Sequence, residues 1–302
     1  MDFIKENIFS SSKKTDNFWA YLMISPYFIG AIIFYIWPIM QSLYFSFTEW
    51  GAFGGTTLVG LKNYLSIFQD PEFYISLKNT FIYTGLSVPI SIIIGIIVAV
   101  LLNQKIKGLV VYRTLYFLPV ITMPAAIAMI WRWLYNADYG LINYLLSTIN
   151  IQGPRWITSP DLVLYSVIIV GIWSTIGYNM VIFLSGLQGI PSSLYEVADI
   201  DGAGPFTKFF KITLPLLTPT IFFVSIISII NSLKVFDLIF MMVDETSFII
   251  EDTQSIVYFF YKTAFRLNQK GYASAILIIL FLIIFVLTIF QTKLQDKWVH
   301  YN

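Results

Sequence analysis

Six apolar runs dominate the chain: Phe18–Phe47, Asn79–Leu102, Tyr112–Tyr135, Leu162–Leu187, Pro215–Val243 and Gly271–Gln291. Each reaches the roughly 20 residues that a helix needs to cross a bilayer. The third is bounded most sharply, with Arg113 and Arg132 enclosing 18 uncharged residues. Pro26, Pro38, Pro89, Pro119, Pro124 and Pro219 fall inside the runs, where membrane helices tolerate kinks because neighbours satisfy the freed carbonyls. The pattern predicts an all-α, polytopic membrane protein with six transmembrane helices.

A charged island separates the fourth and fifth runs. No charge occurs between Asp161 and Glu196 or between Lys211 and Lys234, yet Glu196, Asp199, Asp201, Lys208 and Lys211 cluster inside PSSLYEVADIDGAGPFTKFFKITLPLLTP, residues 191–219. Such an island has to lie in water. Ser193 and Glu196 form an S-x-x-E pattern that predicts a capped helix start. Leu194, Val197, Ala198 and Asp201 then share one helical face, a mostly apolar stripe. Gly202, Ala203, Gly204 and Pro205 end that helix, and Phe206–Leu214 forms a second short one, stopped by Pro215. The island is therefore expected to be a helix-turn-helix elbow whose apolar stripe seeks a partner.

Lysine and arginine set the orientation. With the N-terminus inside, ten lie on inner segments, among them Lys5, Lys13, Lys14, Lys105, Lys107 and Arg113, and seven on outer ones. Both termini and the elbow are thus expected on the cytoplasmic side. The first apolar run is too long for a signal peptide and lacks a small-x-small cleavage site, so it reads as a retained span. The outer segments are Gly51–Lys78, with a glycine-rich start, Asn136–Asp161, with an NADYG turn, and Asp244–Lys270, in which Thr253–Phe265 reads as an interfacial helix. No linker separates domains, so residues 1–302 read as one membrane domain with an inner N-terminal segment over 1–17.

Composition agrees and removes alternatives. Hydrophobic residues make up 57% and charged residues 12%, against roughly 25% charged in soluble domains. Zero cysteines and a single histidine, His300, exclude zinc sites, disulfides and a Cys-His nucleophile. There is no G-x-x-x-x-G-K-[ST], and the GAG at 202–204 has neither the lysine nor a preceding strand. Nucleotide binding by this chain, nucleic-acid partners and enzymatic chemistry have nothing to stand on.

Lys234 and Asp237 are the charges inside an apolar run. Spaced i, i+3, they are placed to pair on one helix face. A helix starting near Pro215 carries Lys234 about 28 Å up, toward the outer surface, at 1.5 Å per residue. A structural pair and a substrate contact both fit. Asn231 and Ser228 in the fifth run, and Ser174, Tyr178 and Asn179 in the fourth, avoid lipid either by bonding between helices or by lining a path for a hydroxylated solute.

EVADIDGAG followed by ITLPLLTP resembles the cytoplasmic EAA loop of binding-protein-dependent ABC importer permeases. Glu196, Val197 and Ala198 stand for EAA, Gly202 for its glycine and Ile212–Pro215 for I-x-L-P, with Val197 departing from the first alanine. The stretches at 60–73, 113–146, 231–240 and 261–276 resemble the carbohydrate-uptake branch, of maltose, glycerol-3-phosphate and multiple-sugar type, and its first permease subunit. VDETSFIIED at 243–252 departs from the T-G-G-P that such proteins often carry. The resemblance implies a bacterial cytoplasmic-membrane subunit forming half a translocation pathway, with 188–214 as its coupling loop. It implies a second permease subunit, two ATPase subunits that bind ATP and magnesium, and an extracytoplasmic solute-binding protein that delivers the sugar, with none of those cofactors on this chain. Glu196, Val197, Ala198, Asp201 and Gly202 would couple to the ATPase, Glu196 by pairing with a basic group there or by capping its own helix. Tyr178, Asn179, Asn231, Lys234 and Asp237 are the candidate pathway. A non-sugar ABC permease and a secondary transporter are the alternatives; the latter would want a mid-membrane ion relay.

Overall fold

The computed structural model describes residues 2–50, 55–104, 106–244 and 248–299, with side chains from residue 17 onward. His300, Lys105, the glycine-rich start at 51–54 and residues 245–247 of the departing outer loop lie outside the described residues.

The first run is a helix in two parts, α1 (Asp2–Ala31) and α2 (Trp37–Ser46), joined by a π turn at Ile32–Ile36. A small antiparallel hairpin of β1 (Thr48–Trp50) and β2 (Thr56–Leu58) follows, which the apolar pattern does not reveal. After α3 (Lys62–Ile67), α4 (Pro71–Leu102) begins well before the apolar run, because the Asp70 carboxylate accepts from the Glu72 N–H at 2.8 Å and Pro71 opens the first turn. The fourth run is α8 (Pro160–Gln188) and the sixth is α14 (Lys270–Trp298). Five spans qualify by length and apolarity as single helices.

The third run is not a straight span. It consists of α5 (Leu109–Ile121) and α6 (Pro124–Leu134), bent by 101°. Pro124 lacks an N–H and forces Met123 into an extended conformation (ψ 132°), so the helix ends at Ile121 and restarts in a new direction. The fifth run also breaks. Its helix α11 (Leu214–Leu233) stops, Lys234–Phe236 are non-helical, and α12 (Asp237–Met242) resumes for six residues. Lys234 and Asp237 are thus not on one helix face, and they form no ion pair among the described residues.

At the other end of α11 the expected stop at Pro215 is absent. The helix α10 (Pro205–Lys208) runs through a π turn at Phe209–Thr213 directly into α11, giving one apolar helix over Pro205–Leu233. Both this turn and the one at Ile32–Ile36 lie just ahead of a proline, Pro215 and Pro38 respectively. The wider turn takes the carbonyls that the pyrrolidine ring would otherwise meet out of its way.

Between the long helices lie α7 (Leu141–Thr148), preceded by a turn in which Asn136 Oδ1 accepts from the Asp138 and Tyr139 N–H groups, and α13 (Ile256–Tyr261), followed by a π turn to Arg266. The expected interfacial helix over Thr253–Phe265 is shorter and sits inside the protein. Thr253, Gln254, Ser255 and Ile256 are buried, Ile256 N–H donates to Thr80 Oγ1 at 3.0 Å, and Lys262 pairs with Glu72.

The core forms where α4 lies along α8, with α11 against α4 and α5 against α8. Ala99, Met180, Phe183 and Leu217 fill one half of it, and Val163, Val167, Ile239 and Met242 fill the other. In contrast, no residue of the most apolar window in Asn17–Ser46 is buried. The α5–α8 crossing depends on Gly177, since a Cβ there would lie 2.0 Å from the Tyr116 carbonyl oxygen, a backbone atom. Gly177→Ala is expected to push α5 off α8 and destabilise the fold by about 1–3 kcal/mol, read as a lower thermal midpoint in detergent.

Candidate functional site

Two places gather the predicted residues. The first is the elbow. Its helix α9 (Ser192–Ile200) starts two residues earlier than the S-x-x-E pattern predicts, with Pro191 in the capping position and no side-chain cap. Ser193 is therefore inside the helix and cannot cap it. Glu196 is exposed and makes no hydrogen bond or ion pair among the described residues, so capping does not account for it.

The helix ends on Gly202, whose φ of +72° lies in the left-handed region. The Ala203 N–H bonds the Ala198 carbonyl at 2.8 Å and the Gly202 N–H bonds the Asp199 carbonyl at 3.1 Å, the paired geometry of a Schellman ending. Asp201 is the last half-turn before it and is exposed. Lys208 reaches back to pair with Asp199, bracing the two arms. The stripe differs from the expected one. Ala198 is buried against the protein, whereas Leu194, Val197 (57% exposed) and Ile200 (86%) face out, joined by Phe206 (80%) and Phe210 from the second arm. An i, i+3, i+6 row of apolar side chains on a water-exposed helix has no internal packing to explain it.

The second place is a cavity of about 430 Å³ between α4, the α5–α6 bend, α8 and α11. The break at Lys234–Phe236 opens one wall. Tyr178, Asn179, Asn231, Lys234 and Asp237 all line it, as do Ser174 and Ser228. Chain breaks are what bring Lys234 and Asp237 there: backbone that leaves the helix at membrane depth has to face protein or a water-filled space.

The chemistry of the wall is two-sided. Ser91 and Ser174 donate to the Val88 and Gly171 carbonyls at 3.0 and 2.9 Å, so their oxygens keep lone pairs to offer the cavity. Asn179 supplies the opposite. It is 1% exposed, and its Nδ2 has no hydrogen-bond partner among the described residues. A buried amide donor left unpaired costs about 1–3 kcal/mol, which a ligand acceptor or a water would recover. Lys234 adds donors and Asp237 acceptors, one charge of each sign.

Tyr83, Ser87 and Ser91 of α4 and Thr122 at the α5–α6 bend also line the cavity and were missed by sequence reasoning. Tyr83, Ser87 and Ser91 are spaced i, i+4, i+8, so a polar stripe on an otherwise apolar span was the available signal. Thr122 offered none, because the bend that exposes it was not foreseen. Among the described residues no group of three or more His, Cys, Asp or Glu could hold a metal ion.

The probable ABC transporter permease protein YesP of Bacillus subtilis (strain 168) is 37% identical over 296 residues, 97% of this chain and 95% of that protein. The trehalose/maltose transport system permease protein MalF of Thermococcus litoralis is 33% identical, covering 95% of this chain and 97% of that one. The sn-glycerol-3-phosphate transport system permease protein UgpA of Yersinia pestis is 31% identical over 93% of this chain and 95% of its own length. A crystal structure of a bacterial ABC transporter involved in the import of the acidic polysaccharide alginate superposes with a TM-score of 0.85 over 95% of this chain and 98% of that chain, at 24% identity. That likeness speaks for the fold. Residues 77–300 match the family model for the binding-protein-dependent transport system inner membrane component, and the chain belongs to that family of ABC importer permeases.

Proposed function

We propose that this permease forms half of the translocation pathway of an ATP-driven sugar importer and takes its cargo through the cavity. The observation that carries this is Asn179: a buried donor without a partner among the described residues, in a cavity that is also lined by the hydroxyl residues Tyr83, Ser87, Ser91 and Ser174. A polyhydroxylated solute offers donors and acceptors at every carbon, and so answers both kinds of group. Lys234 and Asp237 contribute opposite charges, which suits a neutral oligosaccharide. Among the relatives' transport systems, that for trehalose and maltose points to the same class of cargo, and that for sn-glycerol 3-phosphate to another hydroxylated solute.

The chain has no nucleotide loop, so transport energy enters from another subunit. The exposed row Leu194, Val197, Ile200 is the surface for it, with the free carboxylate of Glu196 available to a basic group on the ATPase. In this reading residues 188–214, and both termini, lie on the cytoplasmic side of an inner membrane. A second permease would complete the pathway, two ATPases would bind ATP and magnesium, and an extracytoplasmic binding protein would deliver the sugar. One crystal structure with a matching fold is of a bacterial alginate ABC transporter in complex with an alginate pentasaccharide-bound periplasmic protein, an assembly of the kind proposed.

Vesicles containing the complete assembly test this reading with a panel of trehalose, maltose, maltotriose, alginate oligosaccharides, glycerol 3-phosphate and amino acids. Uptake of a carbohydrate that stops when ATP is withheld is the expected result. Uptake of amino acids alone, or sugar uptake driven by an ion gradient without ATP, would overturn it.

A further inference from the structure

One buried hydroxyl links the elbow's first arm to the second. Thr213 closes the π turn Phe209–Thr213 and is 7% exposed. Its Oγ1 lies 3.4 Å from the Lys208 carbonyl and 2.9 Å from the Tyr195 hydroxyl of α9. A carbonyl has no proton and Thr213 has one. With Thr213 donating to Lys208, Tyr195 is the donor to Thr213. The relay runs Tyr195 to Thr213 to the backbone of the π turn.

Its position gives it leverage. The other tie between the arms, Lys208 to Asp199, involves a carboxylate that is 66% exposed, and ion pairs of that kind hold weakly and loosen with salt. The covalent link is Gly202–Ala203–Gly204, a turn with no side chain within reach of Gly202 or Gly204. Beyond Thr213, by contrast, α11 continues for 20 residues without a break and carries Ser228 and Asn231 into the cavity wall. From Thr213 to Asn231 is about 27 Å of helix at 1.5 Å per residue. A small rotation of α9 is thus delivered to the cavity if, and only if, α9 and the π turn move as one body.

We propose that Tyr195 and Thr213 are positioning residues that lock α9 to the fifth span, so that tilting the elbow moves the cavity wall. The inference rests on the coupling role proposed above for the elbow. Removing either hydroxyl leaves the helices formed, because neither one caps a helix or fills the core, but frees α9 to pivot on the glycine turn.

The chain has no cysteine, so a spin-label pair at Ser193→Cys on α9 and Phe223→Cys on α11 reports the joint directly in the full assembly in lipid nanodiscs. In the parent the distance between labels stays single and narrow, with and without AMP-PNP and magnesium. In Tyr195→Phe and Thr213→Val, a second distance appears on adding the nucleotide, its population raised about two- to ten-fold, the range one neutral hydrogen bond controls. Thr213→Ser, which keeps the hydroxyl, restores the single distance. A merely structural role would broaden both nucleotide states alike, and that result, or an unchanged narrow distance in Thr213→Val, overturns the lock. An Ile200→Glu control separates this from the underlying reading. If it leaves ATPase assembly intact, the elbow is not the coupling surface; if it disrupts assembly while Thr213→Val stays narrow, only the lock is wrong.

Discussion

A Gly202→Asp chain is expected to insert and assemble its six spans normally yet lose ATP-driven uptake by about ten-fold or more. The cause is local. Gly202 has φ of +72° with open space around it, so a side chain there meets no atom but strains the backbone. The left-handed conformation costs an L-residue about 1–2 kcal/mol, and each 1.4 kcal/mol is a factor of about ten in the population of the correct turn. Asp is among the residues that tolerate this region best, but it adds a negative charge next to Asp199 and Asp201 at the C-terminal end of α9, where the helix dipole already disfavours one. The Schellman bonds of Ala203 and Gly202 would be the first to go, and with them the angle between the two arms. Glu196→Lys reaches the same phenotype by another route, reversing the exposed charge without touching the turn. Uptake per ATP hydrolysed, measured in vesicles, checks both; normal ratios in both variants would remove the elbow from coupling.

Asn179→Leu is expected to raise the sugar concentration for half-maximal uptake about ten-fold, while leaving the thermal midpoint unchanged or higher. The combination is what matters. Leucine is close to asparagine in size and sits beside Phe183 and Gly95, whose added Cβ would lie 2.9 Å from the Asn179 Cβ. Since Nδ2 has no partner among the described residues, its loss removes a desolvation cost and none of the hydrogen bonds seen there. If Asn179 served the fold, the variant would melt earlier and bind sugar as before. Asn231→Leu, also on the cavity wall, should shift uptake in the same direction, and unchanged kinetics in both would return these residues to a structural role. Initial rates of uptake and a melting curve on the same preparations separate the outcomes.

The apolar helices, the helical elbow and five of the cavity-lining residues could all be read from residue order, because each depends on local periodicity or on a polar side chain with nowhere else to go. What escaped depends on geometry that periodicity does not encode. A π turn and a bent helix have the same apolar pattern as a straight one, so Pro124 was read as a kink within a span and Pro215 as a stop. The structure reverses the two: the helix breaks at Thr122–Met123 and runs on through Pro215. Lys234 and Asp237 were singled out for being charged, but their arrangement follows from the end of α11 at Leu233, which no Gly or Pro announces. Ala198 was assigned to the docking stripe because a helical wheel cannot say which side of an amphipathic helix is already covered; burial turns the stripe toward Leu194, Val197 and Ile200.

The claim that energy enters this chain from a separate ATPase through the elbow is tested most directly by purification. The parent chain, extracted in mild detergent with its partners, should bring down an ATPase subunit. Val197→Glu combined with Ile200→Glu places two carboxylates in an apolar contact, at a cost of several kcal/mol, about enough to lose the ATPase while the second permease is retained. An ATPase recovered equally with both chains, or none with the parent while uptake proceeds, would contradict it.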